Sequence, residues 1–310
     1  MRGLFIKSIL DNTEGLFSEA RKGKKTNIFL IIFLPIIIMF LSGILLSGAF
    51  YIFAIAASFV PKIIKYAFQI NLITSTGITI LLYFLFVKFI EKRSISSLGL
   101  KLEKGFIFKY LKGFLIGILM IEVVTVIIVG SGNGVFEIKG KLNLEFLVPL
   151  IITMIAWIIQ GASEEIMIRG HMLPKLGVKV GAVLAIIISS AYFGLLHLGN
   201  PGVSKISILN LILFGVFSAV YALQEKSILG VCALHSAWNF AQGNIFGFLV
   251  SGLKAEGGSI IVTTVTDNEI ITGGAFGPEG GLAVTFVLIV GVILVSFHAF
   301  KKGSYKYTTD

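Results

Sequence analysis

The sequence predicts an all-α protein, a polytopic transmembrane helical bundle of about eight spans. Of its 310 residues, 56% are hydrophobic and only 14% are charged, whereas about 25% of the residues in a soluble domain are charged. A soluble core of this length could not hide so much apolar surface, because over half of the residues would have to be internal. An ordinary soluble enzyme and a disordered chain are therefore both excluded.

Eight apolar stretches are long enough to be membrane spans, since crossing a hydrocarbon core takes roughly 20 mostly apolar residues. They are 28–49, 69–90, 110–130, 146–166, 180–198, 206–224, 228–250 and 282–300. The apolar run continues to Val60, which is too long for one straight span. Because Ser42, Gly43, Ser47 and Gly48 offer a break, we expect residues 50–60 to form an interfacial or re-entrant piece.

The basic residues predict the orientation of these spans. With the N-terminus inside, the outside segments hold only Lys62, Lys65, Lys139, Lys141, Lys205 and Lys254, and the remaining 20 of the 26 Lys and Arg lie inside. Cytosolic loops carry an excess of Lys and Arg, so we expect both termini in the cytosol. The net charge of +10 is then a topology signal, and no nucleic-acid partner is expected.

Composition divides the chain into five regions. They are a basic cytosolic arm (1–27), N-terminal spans without a recognised motif (28–144), a segment with polar residues inside its spans (145–250), an outer Gly-rich loop (251–281), and the last span with a basic cytosolic tail (282–310). The Gly273–Gly281 stretch of the loop lacks the Gly-Lys-Ser/Thr ending of a phosphate loop. We therefore expect turns there rather than a nucleotide site.

Ionisable residues inside a membrane span are functional hypotheses by default, because they are costly in hydrocarbon. The predicted spans contain Glu122, Glu164, Glu165, His197 and His235. Glu122 is alone in the third span, and we expect it to pair within the bundle or to line a cavity. The other four lie in three segments between residues 160 and 239.

The first of these segments contains two adjacent acids and a base. Glu165 and Arg169 are four residues apart, so they share a helix face and can form an ion pair. Glu164 is rotated by about 100° from that face and is left free to do chemistry. A charged rim at the end of a span would explain Glu165 and Arg169 but not Glu164.

The other two segments supply histidines and an amide. His235 and Asn239 share one helix face and present two hydrogen-bond donors in the same direction, which could bind a substrate carbonyl. Alternatively, these two side chains only hold neighbouring helices together. His197 could be a satisfied interfacial histidine. Three of these residues fall near the cytosolic ends of their predicted spans: Glu164, His235 and Asn239. His197 instead falls toward the outer end of its span. Either that span is short and its helix continues past the loop, or the predicted limits of the span are wrong.

The three motifs together resemble a known family. Glu164-Glu165-Ile-Met-Ile-Arg169, Phe193-Gly-Leu-Leu-His197 and His235-Ser-Ala-Trp-Asn239, in this order, look like the CAAX-protease and bacteriocin-processing (CPBP, abortive infection) intramembrane proteases. The resemblance covers roughly residues 145–250, which it marks as the catalytic core. It implies an integral protein of the bacterial cell membrane that cleaves a membrane-associated peptide or protein near the cytosolic face.

The resemblance also implies roles for the motif residues. Glu164 with His197 would activate a water as general base, and His235 and Asn239 would donate hydrogen bonds to the oxyanion. Glu165 and Arg169 would hold the geometry of the site.

Metal dependence is the main mechanistic alternative. Glu164, His197 and His235 could ligate zinc, but the chain has no His-Glu-x-x-His motif and Asn is a poor zinc ligand. We therefore expect no cofactor, with zinc as the alternative. His171 could serve as another ligand, although we expect an interfacial histidine.

A non-enzymatic membrane protein is the alternative to a protease: an immunity protein, a scaffold or a transporter. A transporter would favour internal repeats, and none is evident.

Overall fold

The computed structural model describes residues 13–140 and 143–305, and most of them are helical. The helices are α1 (Gly15–Arg21), α2 (Ile28–Phe59), α3 (Ala67–Leu85), α4 (Phe106–Gly130), α5 (Leu144–Glu165), α6 (Leu173–Val180), α7 (Ala182–Leu195), α8 (Lys205–Glu225), α9 (Leu229–Phe240), α10 (Glu269–Thr272) and α11 (Leu282–Tyr305). Strands β1 (Gly134–Ile138), β2 (Leu249–Val250), β3 (Leu253–Lys254) and β4 (Ile261–Val265) form two small antiparallel pairs, β1 with β4 and β2 with β3. Single turns of 3-10 or π helix connect or extend several helices.

The predicted class of an all-α, multi-pass membrane bundle is confirmed. Within the described residues, six helical segments are long and apolar enough to cross a membrane: Ile28–Phe59, Pro61–Ile90, Phe106–Gly130, Leu144–Val180, Lys205–Glu225 and Leu282–Ala299. The predicted spans 180–198 and 228–250 correspond to the shorter helices α7 and α9. The predicted end of the latter span is wrong, because the helix stops at Ile245 and Gly247 takes the left-handed conformation (φ 73°) that ends it.

The expected break after Ser42 is also wrong, since α2 runs without interruption through Phe59. Gly43 and Gly48 lie on an open face of the helix, since a Cβ atom at either position would meet no packed neighbour within 4 Å. A break facing lipid would leave backbone groups without hydrogen-bond partners, which is costly in hydrocarbon. The helix therefore continues through these small residues, and residues 50–59 are not a separate re-entrant piece.

The segments that the charge pattern assigns to the two sides of the membrane lie at opposite ends of the bundle. At one end, the inner end, Lys226 forms an ion pair with Glu14 and Ile228 N–H donates to Gly99 O at 3.1 Å. At the other, the outer end, β1 pairs with β4 and Asn200 Nδ2 donates to Ser251 O at 3.0 Å. Part of the arm (1–12), Lys141 and the end of the tail (306–310) lie outside the described residues.

Two regions without a predicted span contain packed structure. The basic arm includes α1, whose Leu16 and Phe17 are buried. The outer Gly-rich loop holds β3, β4 and α10, and its Gly273–Gly281 stretch forms two 3-10 turns, as expected for that stretch. Both segments lack a long apolar period, which is why their packing was not evident from the sequence.

Helix α9 carries His235 and Asn239, and all of its residues are buried. It lies directly against α4, with Gly113 beside the carbonyl of Gly230 and Gly117 beside that of Leu234. A Cβ atom at either glycine would collide with backbone. This small-residue spacing of four lets the two helices approach closely, and it fixes the position of the third motif.

Cysteine labelling tests the orientation of the two ends. Glu103 is exposed at the inner end and Asp267 at the outer end, while Cys232, the single cysteine, is buried. In a Cys232→Ser background, we expect an impermeant maleimide to label the Asp267→Cys variant in intact cells and the Glu103→Cys variant only after permeabilisation. The reverse labelling pattern would show that the charge-based orientation is inverted.

Candidate active site

The ion pair expected within the first motif is present. Arg169 Nη1 lies 3.2 Å from Glu165 Oε1, and both side chains are fully buried. The guanidinium also lies over the ring of Phe193, 4.5 Å from its centre, an arrangement that favours a cation. Arg169 therefore connects the first motif on α5 and its π-helical extension to the second motif on α7.

Glu164 faces a different set of partners, as its rotation around α5 predicts. Gln160 Nε2 donates to Glu164 Oε1 at 2.6 Å, and Asn239 Nδ2 donates to Gln160 Oε1 at 2.8 Å. Among the described residues, no hydrogen bond reaches the other carboxylate oxygen, Oε2. The sequence reasoning missed the bridging role of Gln160, although its position four residues before Glu164 places it on the same face.

His235 lies between the two acids of the first motif. Its Nδ1 is 2.9 Å from Glu165 Oε1, and its Nε2 is 3.8 Å from Glu164 Oε2. The Glu165 carboxylate can only accept a hydrogen bond, so Nδ1 carries the proton of this pair. Thus Glu165 orients His235, and Nε2 is the ring atom directed toward Glu164.

His197 occupies the turn that follows the short helix α7. Because this helix is short, His197 lies beside the cavity although it falls toward the outer end of its predicted span. Its Nδ1 donates to Phe193 O at 2.8 Å, so in the neutral ring Nε2 is the acceptor. His197 and His235 line the same cavity. In the described parts of the chain, however, no hydrogen bond joins His197 to Glu164.

The cavity extends from the motif histidines to the outer end of the bundle. Its apolar wall includes Phe193, Phe214 and Trp238, whose rings pack against one another. Ser251 and Glu279, from the outer Gly-rich region, also line it. No sequence motif marks a functional residue in that region.

Two residues left open by the sequence lie away from the cavity. His171, which we expect to be an interfacial histidine, is fully buried within the protein, and its Nε2 is 3.2 Å from Glu91 Oε1. Although burial by itself raises the pKa of the Glu91 carboxyl, the hydrogen bond and charge of His171, together with Arg93, hold that pKa well below its usual range.

Glu122 lies on the exposed face of α4, so the expectation that it pairs in the bundle or lines a cavity was wrong. The buried face of α4 follows Ile121 and Val124, and Glu122 points away from it.

The described residues show no cluster of three His, Cys, Asp or Glu side chains arranged to hold a metal ion. The three candidate zinc ligands Glu164, His197 and His235 are therefore not grouped as a coordination shell in this conformation.

Fold and site together define the class: an integral, multi-pass membrane protein with a buried cluster of acids, histidines and amides. Residues 146–241 match the family model described as Rce1-like, type II CAAX prenyl endopeptidase. The resemblance inferred from the motifs is confirmed by this match, which includes all three of them and supports a CAAX-type membrane protease in general. It covers about a third of the chain. No curated protein and no solved structure matches the chain.

Proposed function

We propose that this protein is an intramembrane endopeptidase that hydrolyses a peptide bond with a water activated by Glu164 and His197. The observation that carries the proposal is that the three separated motifs meet around His235. Asn239, Gln160 and Glu164 form one hydrogen-bonded chain, Glu164 meets His235, and His197 shares the cavity with His235.

The proposed reaction begins with proton transfer from water. The Oε2 atom of Glu164 is buried and has no hydrogen-bond donor among the described residues, so it would accept a proton from a water that enters the site beside it. The Nε2 lone pair of His197 is a second acceptor on the cavity wall. The resulting hydroxide adds to the carbonyl carbon of the substrate, and the proton passes from Glu164 to the leaving amine as the C–N bond breaks.

We infer that Asn239 and His235 are the two donors for the oxyanion of the tetrahedral intermediate. The Asn239 amide has two N–H bonds and uses one of them on Gln160, which leaves the second for substrate. His235 donates through Nε2 when both ring nitrogens carry protons, in an imidazolium held by Glu165. Preorganised donors of this kind are a large part of catalysis in acyl transfer.

The cavity favours cleavage in the outer half of the bundle rather than near the cytosolic face. Ser251 and Glu279 line it, and both belong to segments at the outer end. A substrate peptide in this cavity would therefore contact residues that follow α9 as well as His197 and His235.

The test is peptide cleavage by the purified full chain in liposomes. We expect a decapeptide library to be cut, as shown by mass spectrometry, and cutting to persist in the presence of 1,10-phenanthroline. Loss of cleavage with chelator and recovery with zinc would replace the metal-free mechanism by the zinc-dependent one. Absence of any cleavage by liposomes containing folded protein would contradict the protease assignment and favour a non-enzymatic role.

A further inference from the structure

Glu279 is a buried carboxylate that lines the cavity and belongs to none of the three motifs. It lies in the 3-10 turn Pro278–Gly280, is 7% exposed and lines the same cavity as His197 and His235. It also lies outside residues 146–241, the part of the chain that matches the family model. The cavity therefore contains an acid that belongs to this chain's own outer region.

The orientation of this carboxylate is fixed by three donors. Trp238 Nε1 donates to Oε1 at 3.2 Å, and Oε2 accepts from the backbone N–H of Ser251 at 2.6 Å and from its Oγ at 2.9 Å. Ser251 has a left-handed backbone (φ 48°), which is unfavourable for a residue with a side chain. Asn210 Nδ2 further holds the backbone of Glu279, at 2.8 Å from its carbonyl oxygen.

These donors are all neutral, which distinguishes Glu279 from the other buried acids. Glu165 has Arg169, and Glu91 has Arg93 and Lys175. Among the described residues, no Lys, Arg or His lies within ion-pair distance of Glu279. A buried charge without a counterion is costly, so a cation entering the cavity would be stabilised there.

The carboxylate also has room for another donor. Two carboxylate oxygens offer about four acceptor positions, and the protein fills three of them. The remaining position lies on a group that lines the cavity beside the proposed catalytic histidines. A cationic N–H donor bound there would sit next to the peptide bond to be cut.

We propose that Glu279 determines specificity by binding a cationic group of the substrate, an ammonium or guanidinium, beside the scissile bond. This inference rests on the proposed protease function. The cation could come from a Lys or Arg side chain or from a free N-terminus, which share the same chemistry. Glu279 is a positioning residue for substrate and takes no part in the proton transfers.

The experiment compares the cleavage preferences of the wild type, Glu279→Gln and Glu269→Gln in liposomes. Glu269 is exposed in the same outer region, so its variant removes one charge there without altering the cavity. Two decapeptide libraries are used, one with free and one with acetylated N-termini. Lys or Arg enriched at one position in both libraries identifies a side chain, and cleavage restricted to the free library identifies an N-terminus.

We expect Glu279→Gln to reduce this cationic preference at least about tenfold while neutral peptides are still cut, and Glu269→Gln to keep it. An unchanged preference in Glu279→Gln, or no cationic preference in the wild type, would overturn the inference. If Glu279→Gln cuts no peptide, retention of the free and acetylated libraries on the liposomes replaces cleavage as the readout.

The same retention measurement separates this inference from the protease assignment. If the wild type cuts nothing, the protease proposal fails, but selective retention of cationic peptides that is lost in Glu279→Gln would still support the binding site. Equal retention by the two proteins would reject it.

Discussion

Replacing Glu164 by Gln is expected to reduce peptide hydrolysis by about 10²- to 10⁴-fold, the usual contribution of a general base. The amide has the shape of the carboxylate but cannot take a proton from water. It can still hydrogen-bond with Gln160, whose side chain contacts Glu164 at 2.6 Å, so the fold should persist. The measurement is the initial rate of peptide cleavage in liposomes.

Glu122→Gln is the matched control for this experiment. It makes the same chemical change in another membrane helix, on an exposed face away from the cavity. We expect its cleavage rate to equal that of the wild type, and both variants to show wild-type thermal unfolding. A Glu164→Gln variant with full activity would remove Glu164 from the mechanism.

The sequence predicted contacts correctly where ionisable residues lie three or four positions apart on one helix. Glu165 and Arg169 share a face by spacing alone, and the structure shows their ion pair. Glu164, one residue earlier, faces other partners, as its rotation predicts. These relationships are local, because a regular helix fixes the relative directions of residues three or four apart.

Other features depend on contacts between distant segments and could not be read from spacing. Glu279 reaches the cavity through a fold of the outer region that has no helical period. His171 pairs with Glu91, on a loop between two other helices. In each case the sequence shows an ionisable residue but not the segment against which it packs.

The charge pattern carries information of a different kind. It groups loops by side of the membrane, and the contacts place the same groups at opposite ends of the bundle. It does not report the depth of a residue within a helix. Because α7 is a short helix of 14 residues, His197 follows its end and still lines the cavity with His235, whereas a full-length span would have carried it farther away.

Replacing Arg169 by Gln is expected to have the largest effect on stability. Glu165 would remain as a buried carboxylate without its cation, and breaking a buried ion pair in this way typically costs about 3–5 kcal/mol. The contact of the guanidinium with Phe193 would also be lost. We expect a lower midpoint of thermal unfolding in detergent and little peptide cleavage.

The double variant Glu165→Gln/Arg169→Gln separates stability from function. Removing both charges eliminates the unpaired carboxylate, so we expect recovery of part of the lost stability. Activity should stay low, because a neutral amide at position 165 no longer stabilises the His235 imidazolium that donates to the oxyanion, although its oxygen can still accept from Nδ1. A double variant no more stable than Arg169→Gln would show that the ion pair is not the source of the effect.

Arg93→Gln provides a control for buried arginines in general. Arg93 pairs with Glu91 at 2.6 Å, away from the cavity, and Lys175 stays 3.0 Å from the same acid. Because Glu91 keeps a cation, we expect a smaller loss of stability than in Arg169→Gln, and nearly full cleavage below the unfolding temperature. Equal losses of activity in the two variants would mean that Arg169 acts only through folding, whereas loss confined to Arg169→Gln would assign it to the geometry of Glu165 and His235.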